Sequence, residues 1–386
     1  MPIPGGIFLK QIGIVAFAAG LSGCSSQEEI LKIFLLQGSI PAQSINQFQQ
    51  KNSDSPSLKF LPESQLKNLF EQLLKWEDKE EKPNNFLNFS PRLNQSSISP
   101  ARLVTLGDKW LDSAIKKSLL QPLNEQQLTQ WAQLPQQWQS LVKRNAQGEL
   151  DKTGQVWGAP YRWGTTLIAY RRDKEEQFGG KLTDWGDLWR EQLRNRLSVI
   201  DEPREIIGLV LKQFGYSYNT EDTNVIESIK PELQRFQQQV RFYSSKHYLQ
   251  PLVLGDTWAA VGWSSDIIPL MKRNPKIAAI IPPSGTSLWA DLWVKPTSSI
   301  DLPVTQKWID FCWQEDVVKQ IGLFADASSP MLFNVSSGQI PESVRNNPLL
   351  YVNREIFEKS EFIVPLPQTV EEKYIALWKQ IRSEKH

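Results

Sequence analysis

Cysteine and histidine are nearly absent: the 386 residues include only Cys24, Cys312, His247 and His386. A Cys/His zinc site needs about four such ligands, so none can be assembled by a single fold of this chain, and no metal or cofactor is expected. A Ser-His-Asp or Cys-His device would rest on His247 alone, because His386 is the last residue. His247 stands in Ser244-Ser245-Lys246-His247-Tyr248 without a nucleophile motif, and an ordinary helix-surface or interface histidine is expected there. An excess of either charge is also missing. Lys and Arg total 43 against 42 Asp and Glu, which leaves no basic surplus for nucleic acid. Gly179-Gly180-Lys181-Leu182 lacks the earlier glycine and the following Ser or Thr of a phosphate loop. These gaps argue against an enzyme.

Tryptophan, by contrast, is plentiful at 15 residues. Indoles fill cores, and they also line sites for sugars and cations. Apolar residues make up 40% and charged residues 22%, an ordinary globular balance. The length exceeds one compact core, so two lobes are expected.

Lys10, an apolar run over 12–20 and then Leu21-Ser22-Gly23-Cys24 resemble a bacterial lipoprotein signal. The run is too short for a membrane-spanning helix. The resemblance implies cleavage before Cys24, acylation of its sulfur, and an exported, membrane-anchored mature protein. The apolar helix pattern around Cys312 then leaves it as a lone buried thiol.

Beyond the signal, strand and helix patterns alternate. Strands are expected over 33–36, 58–61, 102–106, 166–170, 197–200, 258–263 and 277–281. Helices are expected from about Ala42, over 64–74, through Trp110, Leu111 and Ile115, and over 204–214 ending at Gly215. Residues 77–85 read as a loop, and the Gln-rich stretch 126–139 as an exposed helix face. The region after Pro303 reads as mostly helical, with loops over 327–341. This order implies an α/β protein with a largely parallel sheet and a cleft between two lobes.

Pro160-Tyr161-Arg162-Trp163-Gly164-Thr165-Thr166, Trp185-Gly186-Asp187-Leu188-Trp189 and Asp201-Glu202-Pro203-Arg204-Glu205 occur in that order. They are followed by Val261-Gly262-Trp263-Ser264, Ile281-Pro282-Pro283-Ser284-Gly285 and Leu288-Trp289-Ala290-Asp291. The ordered set resembles the spermidine/putrescine-binding proteins of bacterial ABC importers, over about 157–329. The resemblance implies a type II periplasmic-binding-protein fold whose two lobes close on a polyamine by hinge bending, and delivery to an ABC permease. A monomer is expected. On the same grounds residues 1–23 are the signal, lobe one is 28–162 plus 291–335, and lobe two is 165–288 plus 336–386. The chain is expected to cross between lobes near 161–166 and 288–294.

A polyamine needs carboxylates spaced for its amines and flat rings along its methylenes. Glu202 and Glu205 follow the strand over 197–200 and flank Pro203, so both fall at the carboxyl end of a strand, where α/β folds bind ligands. They could equally complement the helix dipole or pair with Arg204. Trp289 and Asp291 are two apart in a strand and share a face. The resemblance marks both, with Trp263, as ligand contacts; Tyr161 and Trp163 are expected to pack the hinge. Glu361 falls where the family has a polar amine contact. The first lobe departs from the pattern. Gly38-Ser39-Ile40-Pro41 replaces the aromatics expected after the first strand, and Lys109 falls where a stacking tyrosine is expected. Either Lys109 points away and Trp110 or Asp108 faces the cleft, or the ligand is not a standard polyamine. In the alternative reading Lys109 and Arg162 hold the carboxylate of an amino-acid-like zwitterion, or the chain is a non-transport interaction lipoprotein.

Overall fold

The computed structural model describes residues 30–53, 56–80 and 101–384. Cys24 and its signal lie outside the described residues. Among those described, one sheet of 11 strands runs through the molecule, with helices packed around it. Its main path is Leu58–Glu63, Leu31–Leu36, Leu103–Gly107, Ser287–Pro296, Ala159–Arg171, Ala259–Trp263, Leu197–Val199 and Val240–Tyr243. The fold is the expected α/β type, but the sheet is less parallel than its strand-helix alternation suggests. Parallel pairs lie toward the two ends, and Ser287–Pro296 and Ala159–Arg171 run antiparallel to each other in the middle.

The strand Ala159–Arg171 joins the two halves. All 13 of its residues are buried, as its largely unbroken apolar and aromatic run requires. Its first part pairs with Ser287–Pro296, up to Thr165 against Leu288. From Thr166 onward it pairs through its other edge with Ala259–Trp263, and Ile168–Arg171 also pairs with Ile277–Ile280. Pairing with Ser287–Pro296 thus gives way to these strands at Thr165–Thr166. Tyr161 and Trp163 are buried next to this change. The Tyr161 hydroxyl donates to Ser39 Oγ at 2.9 Å, and its ring stacks on Trp293 at 4.5 Å between centroids.

Apolar packing falls into two clusters. One gathers Leu31, Val104, Trp293, Trp308, Ile340 and Phe357; the other gathers Ile206, Leu209, Phe236, Val261, Tyr374 and Trp378. Residues of the 340–357 region thus pack with the first cluster, while the last helix, Gln368–Ser383, packs with the second. Cys312 is a buried free thiol at the end of the helix Pro303–Cys312.

Two local expectations need correction. The helix Leu66–Glu80 continues through the charged residues expected to begin a loop, because Leu69 and Leu73 anchor it in the core and Lys and Glu are good helix formers. The Gln-rich stretch is not one helix. Pro135 follows two short turns, Glu125–Gln127 and Trp131–Gln133, and a helix forms only over Gln136–Val142, with Trp138 fully buried.

Candidate functional site

The expected site residues other than Glu361 come together near the junction of the two halves of the sheet. Asp108, Lys109 and Trp110 form a short turn directly after Leu103–Gly107. Glu202 is the N-cap of the helix Pro203–Gln213, Pro203 occupies its first turn, and Glu205 lies in that same turn. Trp263 closes its strand and leads into the helix Ser264–Arg273. Trp289 and Asp291 come from the central strand Ser287–Pro296.

Glu205 is buried, and its carboxylate is held by uncharged donors only. Thr166 Oγ1 donates to Oε2 at 3.0 Å, the Ser287 hydroxyl donates to the same oxygen, and Trp263 Nε1 donates to Oε1 at 3.1 Å. Burial pushes its carboxyl above the ordinary range, against the pull of these bonds, and neighbouring Glu202 adds to the rise. Sequence reasoning missed Thr166 and Ser287. They lie 39 and 82 residues away along the chain, so no local motif announces them.

Glu202 accepts from Lys109 Nζ at 3.2 Å. The same ammonium lies 4.6 Å from the Trp110 ring centre and 5.2 Å from that of Trp263. Lys109 does not point away. It faces the site and ties the turn after Leu103–Gly107 to the helix start across the sheet. Trp110 stacks on Phe70 at 5.9 Å with planes 9° apart, which fixes its ring beside that ammonium.

Asp291 and Trp289 share a face, as their spacing predicts, but Arg162 lies against both. Arg162 Nε donates to Asp291 Oδ2 at 2.8 Å, and its guanidinium carbon lies 5.4 Å from the Trp289 ring centre. Arg162 and Asp291 face each other in the strand register. Their side chains are 6% and 1% exposed, so this is a buried ion pair rather than a surface one. Burial pushes the Asp291 carboxyl up, and the Arg162 guanidinium pulls it back down. Trp289 fits only because residue 164 is glycine. A Cβ there would sit 2.4 Å from Trp289 Cζ2 and 2.2 Å from Ser264 Oγ.

Asp108 is buried and accepts from the Ala290 amide at 3.1 Å. Desolvation drives its carboxyl up to about 7; that amide bond, Arg144 and Lys109 oppose the rise, and Asp291 adds to it. Glu361 lies slightly apart from the rest. Its short strand pairs with Ser287–Leu288, and its carboxylate takes Lys212 Nζ at 2.8 Å and the Ser217 hydroxyl. Among the described residues no group of three or more His, Cys, Asp or Glu could hold a metal ion. His247 is exposed, its amide donating to Ser244 Oγ at 2.9 Å.

The arrangement joins carboxylates to indole faces and contains no nucleophile–base pair. It can hold cations, and chain-borne cations already lie against Glu202, Asp291 and Glu361. A family model described as a bacterial extracellular solute-binding protein matches residues 99–360. The spermidine/putrescine-binding periplasmic protein of Salmonella typhimurium is 24% identical over 260 residues, spanning 67% of this chain and 71% of that protein. A putrescine-binding periplasmic protein of Pseudomonas aeruginosa is 22% identical over 303 residues, 73% of this chain and 79% of its own. Among solved structures, the spermidine/putrescine ABC transporter substrate-binding protein of Streptococcus pneumoniae superposes with a TM-score of 0.75 at 17% identity. That match covers 92% of this chain and 99% of the other. With the family model spanning most of the described chain and the same fold recurring in its relatives, this protein belongs to the bacterial extracellular solute-binding proteins, a family that binds solutes rather than transforming them.

Proposed function

We propose that the chain is the solute-binding component of an ABC importer and captures a polyamine of the putrescine and spermidine class between the two halves of its sheet. One observation carries the reading: Glu205, a buried carboxylate with no lysine or arginine at salt-bridge distance among the described residues, bonded through one oxygen to the indole of Trp263. A protonated amine is the partner such a group lacks. The names of the relatives, spermidine/putrescine- and putrescine-binding, point the same way. The zwitterion alternative gives way, because Lys109 and Arg162, the cations it requires for a ligand carboxylate, are each paired with a carboxylate of the chain. An interaction role without transport gives way to the family assignment.

In this reading Glu205 holds one amine, Trp263 and Trp289 flank the methylenes, and Asp108, Trp110, Glu202 and Asp291 complete the wall. Glu361 braces the Glu205 side through Lys212. The lobes meet between Thr165 and Thr166 and near Ser287, and the division into 28–162 plus 291–335 and 165–288 plus 336–386 belongs to the same proposal, except that residues of the 340–357 region go with the first cluster. Cys24 carries the lipid that holds a monomeric protein at the periplasmic face of a membrane. No described helix is long and apolar enough to cross one.

The test is thermal shift and calorimetric titration with putrescine, spermidine, spermine and a panel of amino acids. Stabilisation by amines alone is expected. Stabilisation by amino acids alone, or by nothing in the panel, refutes the substrate assignment. Acyl labelling of the full chain and of Cys24→Ser tests the anchor separately.

A further inference from the structure

Three carboxylates expected to meet a ligand amine already meet a cation of the chain, and one of these contacts has the full form of an amine-binding station. Lys109 Nζ lies 3.2 Å from Glu202 Oε1, between the rings of Trp110 and Trp263 at 4.6 and 5.2 Å. Carboxylate, indole and indole around one ammonium is how a polyamine nitrogen would be gripped. The components come from opposite halves of the sheet, Lys109 and Trp110 from the turn after Leu103–Gly107, Glu202 and Trp263 from the far side. Lys109 is covalently attached, so it competes at high effective concentration with any free amine for this position. An added ligand ammonium beside it meets a like charge. The second carboxylate–indole pair, Asp291 with Trp289, is taken in the same way by the buried Arg162.

Two carboxylates in the cluster have no Lys or Arg at salt-bridge distance among the described residues. Glu205 is held by Thr166, Ser287 and Trp263, all uncharged, and Asp108 by the amide of Ala290. Two acceptors for ammonium match a ligand with two charges.

We infer that Lys109 is a specificity-determining residue whose ammonium fills one amine station from within, so that the site takes a short diamine and disfavours tri- and tetraamines. The inference rests on the polyamine reading above. Lys109 is 39% exposed, so replacing it leaves the core untouched.

The experiment is calorimetric titration of putrescine, spermidine and spermine into the wild type, Lys109→Met and Lys109→Arg, with melting curves to verify folding. Methionine keeps length and bulk without charge; arginine keeps charge. The wild type is expected to bind putrescine at least tenfold more tightly than spermidine. Lys109→Met is expected to raise spermidine affinity at least tenfold and abolish that preference, and Lys109→Arg to retain it. A wild type that prefers spermidine or spermine, or a Lys109→Met protein whose spermidine-to-putrescine ratio stays within twofold of wild type, overturns the inference while leaving polyamine binding intact. If no amine binds the wild type or either variant, the polyamine reading itself fails and the inference goes with it. Should Lys109→Met not fold, Lys109→Gln supplies the neutral variant under the same criteria.

Discussion

Trp263 Nε1 and Glu205 Oε1 lie 3.1 Å apart and join the end of one strand to the first turn of the helix beside it. The bond orients the indole face and leaves the carboxylate without a countercharge. Glu205→Gln keeps the acceptor for Trp263 and removes the charge that an amine needs. Amine affinity should fall at least tenfold, about 1.4 kcal/mol. Thermal stability at pH 7 should hold or rise, since a buried acid is no longer there to be ionised. Calorimetry and a melting curve on the same preparation check both, and undiminished affinity would remove Glu205 from the site.

Asp108 makes stability pH-dependent. Its folded-state carboxyl titrates near 7, against 3.8 for the unperturbed group. Between these values the unfolded chain is ionised and the folded one keeps its proton. Stability from this group is therefore complete below about pH 4 and is lost as pH rises through 7. The full span is about 4 kcal/mol, taking 1.36 kcal/mol for each tenfold change. Arg144, Lys109 and Asp291 face the group, so their effects are already part of its position. Urea unfolding at pH 5 and pH 8 should show a larger loss for the wild type than for Asp108→Asn. Equal losses would mean that Asp108 is ionised throughout.

The Arg162–Asp291 pair should behave as a unit. Removing either charge strands the other in the interior, at about 3–5 kcal/mol. Asp291→Asn and Arg162→Met should each destabilise by that order, and the double variant should lose less than the sum. A double-mutant cycle by urea denaturation measures the coupling, and strict additivity would show that the pair carries none.

Gly164→Ala should displace the Trp289 ring, because the new methyl would fall 2.4 Å from Cζ2. Overpacking of this kind costs about 1–3 kcal/mol. Reduced ligand affinity together with a lower melting temperature is expected; a variant with both unchanged would mean the ring has room to move.

Most of the scaffold could be read from local pattern. The strand at Leu31–Leu36, the start of the helix Leu66–Glu80 and the helix Pro203–Gln213 with its proline start all follow from periodicity and capping within a few residues. The long strand Ala159–Arg171 was legible only in its second part, since its aromatic first part reads equally as core or as site. The shared face of Trp289 and Asp291 followed from a period of two. That Arg162 would lie against both did not, because Arg162 and Asp291 are 129 residues apart along the chain.

Residue types and short spacings thus determined by themselves that the protein would be α/β and that Glu202 and Glu205 would follow a strand at the start of a helix. Which charges neutralise which was decided only in three dimensions. Lys109 meets Glu202 at a separation of 93 residues, and Lys212 meets Glu361 at 149. Salt bridges act over a few ångströms of space whatever the distance along the chain, so pairing depends on how the two halves of the sheet come together.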